Sequence, residues 1–157
     1  MAKKNYFNFY SKSDKETKKL GEVLADWFIK NKQSTLLTLS GDLGAGKTVF
    51  IKGLAKGLGI KKNILSPSFV LLRSYKGSSG WELDHIDAYR LAPEDAKIFD
   101  FNKIKKDKTI IAVEWPEKII KALPKSSFKI KISHTTSETR TIELPLITKT
   151  HVSRLIN

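Results

Sequence analysis

The stretch GDLGAGKTVF, residues 41–50, decides the fold class of this chain. Its first eight residues satisfy the pattern G-x-x-x-x-G-K-[ST], in which glycines let backbone N–H groups turn inward around a phosphate. The pattern needs a strand before it and a helix after it. Residues 34–40 (STLLTLS) are typical of a buried strand, and apolar residues recur at helical spacing from Lys47 to Leu58. The stretch therefore predicts a phosphate-binding loop whose helix N-terminus adds a positive end.

The loop and the start of the following helix are predicted to contact a nucleotide, together with one tryptophan further along the chain. The predicted contact residues are Gly41, Asp42, Leu43, Gly44, Ala45, Gly46, Lys47, Thr48, Val49 and Trp115. Lys47 is expected to reach the β- and γ-phosphate oxygens, and the Thr48 hydroxyl is expected to ligate Mg²⁺.

Two carboxylates could complete the chemistry of a nucleotide hydrolase. Glu114 directly follows the apolar strand predicted at 108–113, at the end where ligands gather in open α/β sheets, and is predicted to be a metal ligand. Asp87, on the same face of its strand as His85, either holds or orients water at the metal or is a surface carboxylate paired with Arg90. By itself, His85 is predicted to be a packing or hydrogen-bonding residue.

The rest of the chain predicts one α/β domain over residues 1–157, with three layers and a mixed, mainly parallel sheet. Ser13 and Glu16 form a capping-box pattern before an amphipathic helix. Further helices are predicted from Lys47 to near Gly59, over 115–123 and in the tail at 148–157. The remaining predicted strands are 5–10, 69–75 paired with 81–89, and 128–133 paired with 139–144. Ser66-Pro67-Ser68 is either a simple turn or a loop whose hydroxyls touch Mg²⁺ or the γ-phosphate.

Composition limits the location and partners of the chain. Cysteine is absent, which excludes disulfides and thiolate chemistry. No apolar run reaches the roughly 18 residues that span a bilayer, and the N-terminus lacks a signal-peptide core, so we expect a cytoplasmic protein without membrane contact. The net charge of +13 is compatible with an RNA partner. A solvated surface explains it equally well, because only four of the 29 basic residues are Arg.

Four motifs stand in order along the chain: GDLGAGKT (41–48), SPSF (66–69), HIDAYRL (85–91) and VEWPEK (113–118). Together they resemble the TsaE (YjeE) family, the small bacterial ATPase needed for threonylcarbamoyladenosine modification of tRNA. The resemblance spans residues 13–117. It implies a P-loop fold that binds ATP/ADP and Mg²⁺ and hydrolyses ATP weakly until partners stimulate it. It also implies action with the TsaD-TsaB transferase complex on adenosine 37 of tRNAs reading ANN codons, with tRNA contacted indirectly or weakly.

The same resemblance implies roles for individual residues. Lys47 binds phosphate, Thr48 and Glu114 hold the metal, and Asp87 positions water or metal, which makes Lys47, Asp87 and Glu114 the expected catalytic set. Trp115 lies beside the nucleotide. The chain departs from the family pattern at Ser68, where Thr is usual, and in the shortened, basic segment 92–108. Arg140 could match a basic residue near the nucleotide in some members.

Two alternatives from other classes remain open. A P-loop kinase for a small molecule or nucleotide usually carries a lid with several Arg, and four scattered Arg without a spare lid segment argue against it. A module that senses nucleotide without turnover is less consistent with Glu114 and Asp87. A GTPase would need D-x-x-G and N-K-x-D, and neither string occurs.

Overall fold

The computed structural model describes residues 5–156, and a seven-stranded mixed sheet forms its centre. The strands are β1 (Tyr6–Ser11), β2 (Thr35–Ser40), β3 (Leu72–Lys76), β4 (Glu82–Asp87), β5 (Thr109–Glu114), β6 (Phe128–His134) and β7 (Arg140–Pro145). They lie in the order β1-β7-β6-β2-β5-β4-β3. The single-domain prediction over 1–157 also includes residues 1–4 and 157, which lie outside the described residues.

Parallel pairing is confined to the four central strands. β6, β2, β5 and β4 pair in parallel, whereas the β1–β7, β7–β6 and β4–β3 pairs are antiparallel. The mixed sheet and both predicted hairpins are confirmed, and parallel pairs predominate only at the centre. All residues of β5 and all but the last of β2 are buried, as expected for strands covered on both faces.

Helix α1 (Asp14–Lys30) begins at the predicted cap. The Ser13 hydroxyl accepts a hydrogen bond from the Glu16 N–H at 3.2 Å. The Glu16 carboxylate reaches one residue further back than in a capping box, because it accepts from the Lys12 N–H at 2.7 Å. The predicted apolar stripe is buried: Leu20, Val23, Leu24, Trp27 and Phe28.

Helices α1, α2 (Lys47–Gly57) and α3 (Lys149–Ile156) cover one face of the sheet. α1 and α2 cross with their backbones in contact, since a Cβ added at Gly53 would overlap the carbonyl of Lys18, and one added at Gly21 would overlap that of Phe50. The inward side of α2 is buried as predicted except at Val49, which is half-buried and lines a cavity.

Short 3₁₀ turns cover the other face and complete the three layers. The helix predicted over 115–123 is wrong: two 3₁₀ turns, Pro116–Lys118 and Ile120–Ala122, take its place. The backbone leaves helical geometry at Ile119 (φ −128°), which is completely buried, while Ile120 is exposed. The strand predicted from residue 69 begins only at Leu72, because the Val70 and Leu71 N–H groups close a turn on the Pro67 carbonyl. Within residues 5–156, no helix has the length and apolar character required to cross a bilayer.

Candidate functional site

The glycine-rich loop joins β2 to α2, and at two of its glycines both the backbone conformation and the surrounding atoms exclude a side chain. Gly41 (φ 149°) and Gly46 (φ 104°) occupy backbone conformations that other residues rarely adopt. A Cβ at Gly41 would overlap the Ile132 carbonyl, and one at Gly46 would lie 2.8 Å from Nη1 of Arg140. The loop therefore packs directly against the β6–β7 hairpin, and this packing fixes its course.

The loop opens onto a cavity of about 260 Å³ at the carboxyl ends of β5 and β4. Its walls contain every predicted contact residue except Gly41 and Asp42, and also the predicted carboxylates Asp87 and Glu114. Three further polar side chains line it: Asp14, Ser66 and Ser68. Residues that are far apart in sequence thus meet at the edge where α/β proteins bind ligands.

The Lys47 ammonium lies beneath the loop, where its Nζ is hydrogen-bonded to backbone oxygens. It donates to the carbonyls of Gly41 (2.6 Å) and Asp42 (2.9 Å) and lies 4.0 Å from the centroid of the Trp115 ring. Burial lowers the pKa of Lys47, and the neighbouring carboxylates, Glu114 foremost, oppose that shift. Among residues 5–156 the ammonium has no carboxylate within ion-pair distance. It is therefore a buried cation that an incoming anion would neutralise.

Glu114 is held by two side chains at the same carboxylate oxygen. Thr48 Oγ1 donates to Oε1 at 2.8 Å, and His85 Nε2 lies 2.8 Å from that oxygen. Glu114 is 4% exposed and His85 is fully buried. The parallel pairing of β4 with β5 sets this contact, because it places His85 opposite Ala112, two residues before Glu114. The prediction that His85 is a hydrogen-bonding residue is confirmed, although the sequence did not identify its partner.

The Thr48–Glu114 pair resembles part of a magnesium site. No cluster of three or more metal-binding side chains occurs within residues 5–156. Mg²⁺ at nucleotide sites does not need one, since it uses one or two carboxylates with waters and substrate phosphates. A threonine hydroxyl bonded to a buried carboxylate, beside a phosphate-type loop, is a donor set that fits this ion.

Asp87 lies beside Glu114 in the sheet and is held differently. Its Oδ2 accepts from Ser68 Oγ at 2.9 Å, and its Oδ1 accepts from the Tyr89 N–H at 3.0 Å. The alternative prediction, a surface pair with Arg90, is wrong. Asp87 is buried, and the Arg90 guanidinium lies over the Phe69 ring at 5.0 Å.

The segment Ser66–Ser68 reaches the cavity by its hydroxyls. Ser66 Oγ and Ser68 Oγ are 2.7 Å apart, and Ser68 in turn bonds Asp87. The segment is also a turn, because Pro67 accepts the bonds that end the loop. The two descriptions offered by the sequence are therefore compatible, while a contact of Ser68 with metal or phosphate stays a prediction.

Trp115 adopts a left-handed backbone conformation (φ 57°, ψ 48°) that is uncommon for a bulky residue. Its ring lies over the Lys47 ammonium and contacts the Tyr89 ring, with centroids 4.9 Å apart. Such conformations cost about 1–3 kcal/mol and cluster at functional sites. Here the turn directly follows Glu114 in the sequence and places the indole on the wall of the same cavity.

Arg140 supports the loop from behind. It is buried, and its Nη1 donates to Asp14 Oδ1 (2.6 Å) and to Thr17 Oγ1 (3.1 Å) at the start of α1. The same nitrogen occupies the space that a Cβ at Gly46 would need. Sequence reasoning associated Arg140 with the nucleotide region but missed Asp14, and no local pattern could have found this pair, because its members are 126 residues apart.

Comparison with known proteins agrees with this geometry. The family model described as "Threonylcarbamoyl adenosine biosynthesis protein TsaE" matches residues 11–142, which extends beyond the four motifs to the β6–β7 hairpin. A Bacillus subtilis protein named tRNA threonylcarbamoyladenosine biosynthesis protein TsaE is 35% identical over 81% of this chain and 77% of its own length. A protein of the same name from Haemophilus influenzae is 33% identical over 81% of this chain and 78% of its own length. Another, from Treponema pallidum, is 36% identical over 78% of this chain and 87% of its own length.

A solved structure extends the similarity to the whole fold. The crystal structure of Bacillus subtilis YdiB superposes with a TM-score of 0.75 and 29% identity, and the match covers 97% of each chain. The resemblance drawn from the four motifs is thereby confirmed, and the chain belongs to the TsaE family.

Proposed function

We propose that this protein is a weak, Mg²⁺-dependent ATPase that serves threonylcarbamoyladenosine modification of tRNA. The observation that carries the proposal is the Thr48–Glu114 hydrogen bond beneath the glycine-rich loop, with Lys47 and Asp87 lining the same cavity. The names of the related TsaE proteins support the biological role.

The residues divide into those that would hold ATP and those that would act on water. The amides of loop 41–46 and the Lys47 ammonium would hold the phosphates, while Thr48 and Glu114 would hold Mg²⁺. The bound metal would neutralise the charge that develops on the transferred phosphoryl group. Asp87 would orient the attacking water, since Ser68 and the Tyr89 N–H already fix both of its oxygens.

The alternative of a phosphoryl-transferring kinase has less support. Kinases of this class clamp the transferred group with several cations, and in the described part of the chain Lys47 is the only Lys or Arg on the cavity wall. Arg140 lies behind the loop and is tied to Asp14, and Arg90 packs on Phe69. One buried lysine suits hydrolysis better than transfer to a second substrate.

TsaD and TsaB are the proposed partners on the strength of the family resemblance. Two large apolar side chains at the rim of the site support a partner docked there: Leu43, at the tip of the loop, is 79% exposed, and Phe69, one residue after Ser68, is 85% exposed. A partner that covers them could raise the slow hydrolysis by excluding water and ordering the Ser66–Ser68 segment.

Lys47→Met tests the site. The variant should lose ATP binding and at least about a hundredfold in turnover, because the buried ammonium supplies the phosphate contact. Its melting temperature should change little, because the burial that lowers the pKa of Lys47 opposes the stabilisation from the hydrogen bonds that its ammonium donates to the Gly41 and Asp42 carbonyls. Phosphate release, fluorescent-nucleotide binding and thermal melting measure the three quantities, with Lys105→Met as the surface control.

Wild-type turnover in Lys47→Met would refute the role of Lys47 in phosphate binding. A separate measurement, of phosphate release with TsaD and TsaB added, tests the partnership, and absence of stimulation would refute it.

A further inference from the structure

A second polar cavity, of about 180 Å³, lies between α1, α2 and the segment that follows α2. Four lysines line it: Lys18, Lys52, Lys56 and Lys62. We call this group the lysine cleft. It shares no lining residue with the nucleotide cavity, so the proposed ATPase chemistry does not account for it.

The crossing of the two helices concentrates these charges. Gly53 packs against the Lys18 carbonyl, which brings its neighbour Lys52 close to α1. Lys56 lies one helical turn after Lys52, and like charges at this spacing destabilise a helix by a few tenths of a kcal/mol. The cleft therefore brings four exposed cations together at a small cost in stability.

Little of this charge is neutralised within the protein. Glu22 contacts Lys56 at 2.9 Å, and in the described part of the chain Lys18, Lys52 and Lys62 have no ion-pair partner. The basic segment 103–108, which stands out in the sequence, differs in part. Lys103 is paired with the buried Asp84 and Lys108 donates to the Ser79 carbonyl, whereas Lys105 and Lys106 are exposed and, in the described part of the chain, lack an ion-pair partner.

We propose that the lysine cleft binds the phosphate backbone of RNA without reading its sequence. Lysine is a compact point charge suited to single phosphate oxygens, whereas the cleft has no Arg fork and no aromatic ring with which to read or stack bases. Protein–protein interfaces are depleted in Lys and enriched in aromatic residues and Arg, so an acidic protein is the weaker match. The net charge of +13 adds long-range attraction. The choice of RNA over DNA rests on the proposed role in tRNA modification.

The test measures binding of the full-length protein to a fluorescein-labelled, unmodified tRNA transcript by anisotropy between 50 and 200 mM KCl. The cleft variant is Lys18→Gln/Lys52→Gln/Lys62→Gln, and Lys56 is retained because it pairs with Glu22. The matched control is Lys105→Gln/Lys121→Gln/Lys125→Gln, which removes the same charge from exposed positions elsewhere. Circular dichroism confirms that each variant is folded.

The cleft variant should bind at least about tenfold more weakly at 50 mM KCl, and its log–log salt slope should become shallower by about 2–3, as expected for three lost phosphate contacts. The control should change affinity less than about threefold, and Lys47→Met should bind RNA like the wild type. Both the cleft variant and the control variant should retain ATPase activity. RNA binding is measured without ATP hydrolysis, so the RNA result stays valid even if the protein proves not to be an ATPase.

Three results would overturn the proposal. The first is equal loss in cleft and control variants, which would show that net charge alone attracts RNA. The second is undetectable binding of the wild-type protein at 50 mM KCl. The third is unchanged RNA binding in the cleft variant together with lost association with TsaD and TsaB, which would make the cleft a site for an acidic protein surface.

Discussion

Glu114 and Asp87 are neighbours across β5 and β4, buried to a similar extent, and yet they are anchored to different parts of the molecule. Glu114 is held by His85, which is fully buried in the sheet, and by Thr48 in the first turn of α2. Asp87 is held by Ser68, whose partner Ser66 lies in an exposed segment. One carboxylate is bound to the rigid centre of the fold and the other to a surface loop.

This difference shows how one cavity can combine a carboxylate in a fixed position with one whose position depends on a surface loop. Groups anchored by packed elements keep their position when the surface changes, whereas a loop beside exposed apolar residues can be ordered by a partner. We therefore expect Glu114 to set how well Mg²⁺ binds, and Asp87 to set how far a partner can raise turnover.

The largest effect is expected from Glu114→Gln. The amide keeps the size of the side chain and an acceptor for Thr48 but removes the negative charge that the metal needs. Turnover should fall by about 10²–10³-fold, while ATP binding falls much less. Phosphate release and nucleotide affinity measured over a range of Mg²⁺ concentrations separate the two effects. A rate within twofold of the wild type would mean that Glu114 is not a metal ligand.

Asp87→Asn should have the next largest effect, about a hundredfold on turnover when partners are present and less when they are absent. The Asn side chain can still accept the Tyr89 N–H bond, so a loss would reflect charge and water orientation rather than folding. Asp107→Asn, at an exposed position, is the matched control. If the Mg²⁺ requirement rises as steeply as in Glu114→Gln, the two carboxylates share one role and the distinction between them is wrong.

His85→Gln tests whether anchoring from the core positions Glu114. Loss of the imidazole should raise the Mg²⁺ concentration for half-maximal activity by about tenfold, with turnover recovered at saturating metal, because supporting residues typically change metal affinity by 10–100-fold. Steady-state titration with Mg²⁺ measures this, alongside the melting temperature. A fall in turnover that excess Mg²⁺ does not restore would show that His85 acts on more than the position of Glu114.

Ser68→Ala should have the smallest effect, about three- to tenfold on turnover, since one hydrogen bond contributes about 0.5–1.5 kcal/mol. The loss should be larger when TsaD and TsaB are present, because the loop is then expected to be ordered. Ser68→Thr keeps the hydroxyl and should have the turnover of the wild type. Ser66→Ala should lower turnover less than Ser68→Ala does. Equal effects with and without partners would contradict the idea of a responsive loop.

The sequence was sufficient for the phosphate-type loop and its flanking elements, because their determinants are local. Gly41, Gly46, Lys47 and Thr48 stand within eight residues, and the strand and helix around them follow from periodicity. Glu114 could be placed at a strand end for the same reason, since an apolar run predicts where a buried strand stops, whereas Asp87 was predicted within the strand 81–89 and only the structure ends β4 there. Local pattern failed over 115–123, where the apolar spacing is compatible with a helix but the backbone breaks at Ile119 into two 3₁₀ turns.

By itself, therefore, the sequence determined which groups are present and the class of fold that carries them. Only the tertiary structure decided which groups meet: His85 on Glu114 depends on the register of β4 beside β5, and Arg140 on Asp14 joins β7 to the first turn of α1. The lysine cleft likewise exists only where α1 crosses α2. The physical reason is that strand register and helix crossing are set by packing between distant segments, which no local pattern contains.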